Sequence, residues 1–326
     1  NQASQALGMM AVIYNIQGEF NKAAKIFHKL IDILEQRGDR RALGDTYGNL
    51  AITHLELHDY KNAMKYFKTQ LSICTKMNDK HNMCRVNSNI GYTYLQIGNY
   101  DKAIIHCNGS IKLSDEVGIP ELRAQATDNI GNVYIQLGDF KNAEKYLQET
   151  LNIFTELGNE RGIATAKSGL GIIKLEENSL IEAVTFFTDA LDVFKKINEL
   201  TKLARFYIKR GIANQGLKDY DYAENDLNQA ERIAIKLDDA GLIFQARLYS
   251  VLNDYYKEIR SISETKTALK DLDNKTLRNA DKAFLYYQLW LLNGNSNYKK
   301  KSCKLYEKLF KLKPSYLYKK HLDLLQ

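Results

Sequence analysis

The chain has 326 residues, more than a single hydrophobic core ordinarily serves, so it forms either two domains or one extended array. Hydrophobic residues make up 44% and charged residues 26%, the balance of a folded chain, and no apolar run approaches the ~20 residues of a membrane span. The net charge is +7, yet nine lysines against Glu307 and Asp323 place all of it after residue 295, and a neutral body with a basic tail argues against a surface built for nucleic acid.

Only Pro120 and Pro314 interrupt the chain, which favours continuous helical structure. The first residue is not Met and no basic-then-apolar leader follows, so the sequence reads as a cut from something longer. Cys74, Cys84, Cys107 and Cys303 form no CxxC and no His/Cys cluster at zinc spacing, which predicts a reducing, cytoplasmic setting.

In chain order, a first predicted helix holds Ala11 and Tyr14 and breaks at Gly18; a second holds Ala23 and Phe27 and stops at Gly38. The same pair then returns. Alanine recurs at 23, 63, 103, 143, 183 and 223, an unbroken period of forty. Twelve residues earlier stand Ala11, Ala51, Gly91, Gly131, Gly171 and Gly211, and four residues later Phe27, Phe67, Cys107, Leu147, Phe187 and Leu227. Between the helices of each pair lie Gly18, His58, Gly98, Gly138, Asn178 and Lys218, a series suited to the left-handed residue that ends a helix. Asp59, Asn99, Asp139, Ser179 and Asp219 follow as predicted N-caps, with Glu19 the exception. The second helix stops near Gly38, Asn78, Gly118, Gly158 and Asn198. Each period is therefore a helical hairpin, helix A then helix B. Gly131 in mid-helix costs ~1 kcal/mol against Ala, which close approach of the two helices would offset. One hairpin cannot bury both of its faces, so neighbours must stack.

Six regular repeats fill residues 1–240. Residues 241–326 are expected to form two degenerate hairpins and a capping helix. Ser263 takes the alanine position of the seventh hairpin; Trp290, Ser302 and Pro314 take the small, alanine and closing positions of the eighth. SYLYKKHLDLL would cap the stack.

Gly131, Tyr134, Ala143 and Leu147 match the consensus of the tetratricopeptide repeat family, which the chain resembles over residues 4–240. The period exceeds the family's usual length of about 34 and is similar to the long-helix variety of Pins-type regulators and Rap-type peptide receptors. The resemblance implies an all-α fold, a right-handed α-solenoid, with helices A lining a concave groove that binds a protein or peptide. Transferred position by position, groove residues are Asn49; Arg85, Asn89, Tyr92 and Gln96; Asn129, Asn132 and Gln136; and Arg205 and Lys209. Asn49, Asn89 and Asn129 occupy one position in three successive repeats. An amide that both donates and accepts suits the main chain of an extended peptide. Asn132, Arg205 and Lys209 also match three of the five positions with which chaperone-binding members hold a terminal carboxylate. Asp128 stands at a fourth and would repel that group.

His54 and His58 lie one helical turn apart, as zinc ligands can, but they replace a core tyrosine and a turn glycine, and a structural reading fits better. No phosphate loop, nucleophile elbow or Cys/His pairing is present. No cofactor or catalysis is therefore expected. The lysine-rich tail with Tyr298, Tyr306 and Phe310 could meet an anionic surface, but lysines also solubilise a cap. The sequence points to a non-catalytic scaffold that binds an extended peptide or protein segment. The alternative is a sensor module of a larger signalling enzyme, an ATPase, kinase or cyclase.

Overall fold

A computed structural model describes residues 2–273 and 277–326, and these form seventeen α-helices and no strand. Helices A are α1 (Gln2–Ile16), α3 (Arg40–Glu56), α5 (Lys80–Ile97), α7 (Pro120–Leu137), α9 (Glu160–Glu176), α11 (Leu200–Gly216), α13 (Ala240–Tyr256) and α15 (Asn279–Asn293). Helices B are α2 (Phe20–Arg37), α4 (Tyr60–Lys76), α6 (Tyr100–Val117), α8 (Phe140–Glu156), α10 (Leu180–Lys196), α12 (Tyr220–Lys236), α14 (Ile262–Asp271) and α16 (Ser296–Leu312). A last helix, α17, spans Tyr316–Leu325. Two compact units, Asn1–Val133 and Tyr134–Gln326, share the chain, and their boundary falls within α7.

The breaks follow the sequence closely. From Gly18 to Glu258 a residue with positive φ recurs every twenty positions, alternately ending a helix A and a helix B. His58 (φ 56°) and Lys218 (φ 66°) adopt this conformation despite their side chains, so the hairpin geometry overrides the local cost. Asp59, Asn99 and Asp139 cap helices B as expected, each accepting from the backbone N–H three residues on. Ser179 and Asp219 do not: their side chains make no cap hydrogen bond, although each occupies the same position.

The alanines at 23, 63, 103, 143, 183 and 223 are wholly buried. A Cβ on Gly91 would strike Cys107 Sγ, and one on Gly171 would meet the Phe187 ring at 2.7 Å. The small residue of helix A thus makes room for the large residue of helix B sixteen positions on. Each unit's core is a succession of clusters, one hairpin handing on to the next. In unit 1, Ala11, Phe27 and Leu50 form one cluster and Ala51, Phe67 and Ile90 the next. In unit 2 the series runs from Leu147 and Ile173 through Phe187 and Phe206 to Leu248 and Leu285.

The irregular hairpins depart from the expected positions. Ser263 is exposed, and Thr265 is the buried small residue instead. Ser261 caps α14 in a capping box with Glu264, so the helix starts two residues later than the period would place it. In the eighth hairpin Ser302 is buried as expected, its hydroxyl donating to the Ala283 carbonyl at 2.8 Å. Trp290 is only half-buried, with the Lys299 ammonium 5.4 Å from its ring centroid. Wholly buried Ala283 takes the close contact that the sequence assigned to Trp290.

Candidate functional site

In unit 1, residues of α3, α4 and α5 line a crevice of about 390 Å³. Asn49 and Asn89 face it from successive helices A, with Arg85 and Asp45 on its walls and Gln70 of α4 at its floor. Both asparagines are half-buried, whereas Asp45 and Arg85 are exposed. Neighbouring protein on the crevice side partly desolvates Asp45 and raises its pKa, and the Arg85 and Arg41 guanidiniums oppose this. A second crevice, between α1 and α3, shares Asp45 and Asn49 but is apolar, lined by Met9, Val12, Ile13 and Leu30. Asn49 therefore stands between an apolar and a polar recess. Tyr92 is exposed and Gln96 half-buried farther along α5.

The third asparagine of the row differs. Asn129 Nδ2 donates to the Ser88 hydroxyl at 3.1 Å and to the Ser88 carbonyl at 3.3 Å, tying α7 to α5. Asn132 Nδ2 donates to the carbonyl and to a carboxylate oxygen of Asp128 on its own helix. Their positions are equivalent to sequence eyes, yet Asn129 braces a helix pair while Asn49 and Asn89 line a cavity. Asn132 lies in unit 1; Gln136, half-buried near the end of α7, Arg205 and Lys209 lie in unit 2.

In unit 2, α17 makes side-chain contacts with α8, α9, α15 and α16. Lys320 Nζ is 2.9 Å from Glu176 Oε2 on α9. The Tyr316 ring packs edge-on against Phe140, 5.1 Å between centroids, and covers Gly138, where any Cβ would collide with it. His321 is buried among Phe284, Tyr287 and Tyr306. Lys209 lies beside this cluster: desolvation lowers its pKa, Glu176 opposes that, and Arg205 and Lys320 add to it. The C-terminal helix, expected to cap the stack, thus reaches back to α8 and α9, and half-buried Lys209 lies near its Lys320. Arg205, one turn away, remains exposed. Tail lysines are also engaged locally, Lys301 lying over the Tyr286 and Tyr298 rings.

Sequence reasoning missed Gln70 and Lys320 as participants. The signal for Gln70 was its register: the same position holds Ser110, Thr150, Ala190 and Ala230 in later repeats. Nothing local marks Lys320, whose partner is 144 residues away. The histidine pair diverges, His54 Nδ1 lying 3.1 Å from Asp59 Oδ2 and His58 Nδ1 3.2 Å from the Tyr60 hydroxyl. Among the described residues, no three His, Cys, Asp or Glu side chains converge to hold a metal ion, and no helix is long and apolar enough to cross a membrane. Burial pushes the Cys107 thiol up to about 12, as befits a core residue in place of phenylalanine.

No curated protein sequence matches the chain. Solved structures of similar fold include the apo form of the quorum sensor NprR from B. thuringiensis, at TM-score 0.68 and 13% identity, covering 95% of this chain and 87% of that one. A Rap protein complexed with competence and sporulation factor is similar at TM-score 0.66 and 12% identity, covering 100% of this chain and 99% of its own. A signal-transduction ATPase with a tetratricopeptide repeat sensor, from Pyrococcus horikoshii, is similar at TM-score 0.61 and 19% identity, with 82% of this chain covering 41% of that one. The tetratricopeptide repeat family model matches residues 2–76, 82–156 and 122–196, more than half of the chain. With the forty-residue period, the paired left-handed breaks and the buried alanine of each of the first six hairpins, that match shows that this chain belongs to the tetratricopeptide repeat family.

Proposed function

We propose that the chain is a non-catalytic interaction module that holds an extended peptide or protein segment on the inner face of unit 1. The observation that supports this reading most directly is the crevice that Asn49, Asn89 and Arg85 share with the buried amide of Gln70. Two amides at one repeat spacing offer paired donors and acceptors to a peptide main chain, and Arg85 adds selectivity for an acidic neighbour. In unit 2 Arg205 is exposed and Lys209 is half-buried near Lys320 of α17, so Arg205 is the more available of the two to a ligand. A Rap protein of similar fold was solved in complex with competence and sporulation factor, so in that protein this fold takes a ligand. Selection of a displayed random heptapeptide library on the full chain provides a probe. Peptides so recovered should bind the Asn49→Ala/Asn89→Ala variant at least about tenfold more weakly, with its melting temperature unchanged. Equal affinity would sink the proposal.

A second reading makes this chain the sensor part of a larger signalling enzyme. Its support is the likeness to the Pyrococcus horikoshii ATPase, of which this chain spans 41%. The two readings are compatible, because a sensor must also bind something. The open reading frame around the chain distinguishes them.

A further inference from the structure

The floor of the unit 1 crevice holds a polar group with nothing to bond. Gln70 is 7% exposed, and its Oε1 is buried without a hydrogen-bond partner. An unsatisfied buried amide of this kind is costly, and few persist in folded proteins. Nothing in the stacking of hairpins requires it. Forty residues earlier the same position is Leu30, and in later repeats it is Ser110, Thr150, Ala190 or Ala230.

The room for Gln70 comes from a second residue. Gly48 on α3 lies so close that a Cβ there would sit 2.5 Å from Gln70 Nε2 and 2.7 Å from its Oε1. In the first two repeats a glycine stands over a long side chain. Gly8 faces Leu30 and Gly48 faces Gln70, whereas Ser88, Ser168 and Ile208 stand with Ser110, Ala190 and Ala230. A leucine fills the space beneath Gly8 and leaves the α1–α3 crevice with an apolar floor. Beneath Gly48, the same volume is given to an amide, which faces a cavity of about 390 Å³.

We propose that this crevice is a specificity pocket for a carboxamide side chain, Asn or Gln, of a peptide ligand, with Gln70 as the residue that recognises it. The proposal rests on the groove reading of unit 1 and names the chemistry of one subsite. A helix is about 10 Å across, so only a side chain reaches a floor set between α3 and α5. A carboxamide pairs with the Gln70 amide in either orientation, donor to acceptor and acceptor to donor. Asn49 and Asn89 at the walls supply further donors and acceptors for the same group. Arg41, Asp45, His81 and Arg85 also line the crevice, but a charged side chain that reaches its floor meets the neutral Gln70 amide there, and an apolar one would leave Gln70 Oε1 as orphaned as before. Discrimination is therefore expected to be large, because a site built for hydrogen bonding rejects an analogue that lacks the group.

The test uses the displayed heptapeptide library on the full chain and on Gln70→Met, which keeps length and removes both polar atoms. Wild-type selection should enrich Asn or Gln at one position of the recovered peptides, and the Gln70→Met selection should not. For the best wild-type peptide, replacing that residue by Leu should weaken binding at least tenfold with wild type and less than threefold with Gln70→Met. A second variant, Gly48→Ala, presses on the amide and should weaken the parent peptide while leaving its Leu analogue unaffected. Unchanged helicity by circular dichroism shows that both variants fold. Peptides that bind but show no carboxamide preference, or an equal loss with wild type and Gln70→Met, overturn this inference and leave the groove reading standing. Recovery of no peptide by the wild type overturns both.

Discussion

Lys320 Nζ and Glu176 Oε2 lie 2.9 Å apart, joining α17 to α9 within unit 2 across 144 residues of sequence. The pair is not isolated: Tyr316, one turn before Lys320, packs on Phe140 and over Gly138. The side chains of the ion pair are 39% and 18% exposed, so solvent screens it and its contribution is about 1 kcal/mol or less. It fixes where α17 rests more than how stable the unit is.

Lys320→Glu should accordingly loosen α17 with little effect on global unfolding. Amide hydrogen exchange across residues 316–325 is expected to speed up several-fold, and Glu176→Lys in the same chain should restore protection. Exchange that the double variant fails to slow would mean that the aromatic contacts alone seat the helix.

Asp226 is a harsher site. It is 1% exposed and accepts two hydrogen bonds from Arg210, at 2.7 and 2.8 Å, while Arg210 also donates to the Thr188 hydroxyl at 2.9 Å. Asp226→Ala leaves a half-buried guanidinium uncompensated and should cost ~3–5 kcal/mol in urea unfolding. Asp226→Leu combined with Arg210→Met should recover most of that loss, since an apolar pair needs no desolvation of charge.

His321 makes the C-terminal end of unit 2 sensitive to acid. Its ring stacks on Tyr306 at 4.8 Å and meets the edges of Tyr287 and Phe284, with Lys320 and Glu176 the charged groups nearby. Burial lowers its pKa below the ordinary 6.5; its hydrogen bond with the Leu317 carbonyl opposes this, Lys320 adds to it and Glu176 opposes it. The unfolded chain then binds the proton more readily than the folded one, so stability is full above pH 6.5 and falls as pH drops below it. The melting temperature should decline from about pH 7 to about pH 5, and less steeply for His321→Phe.

Within the asparagine row, structure separates what the sequence presented as equal. Asn129→Ala removes a bond between α7 and α5 and should lower stability by ~1 kcal/mol, whereas Asn49→Ala should be near neutral in the absence of ligand. Thermal denaturation of the two single variants is enough to check this.

The hairpins were legible because their causes are local. A left-handed residue every twenty positions, an apolar stripe at helical spacing and a small residue at each crossing are written in the chain itself. Ser263 shows the limit. Its failure to reach the core turns on where Ser261 starts α14, and Thr265 takes its place.

The sequence alone determined the repeat, its breaks and the faces that stack, since each depends on residues within one hairpin and its neighbours. Tertiary structure decided which groove residues have free chemistry. Asn49 and Asn89 open on a cavity, Asn129 is bound to Ser88, Gln70 is orphaned beneath Gly48, and Lys209 is desolvated near Lys320 of α17. These outcomes depend on side chains meeting from elements that repeat spacing brings near but does not orient, or from ends of the chain that no periodicity connects.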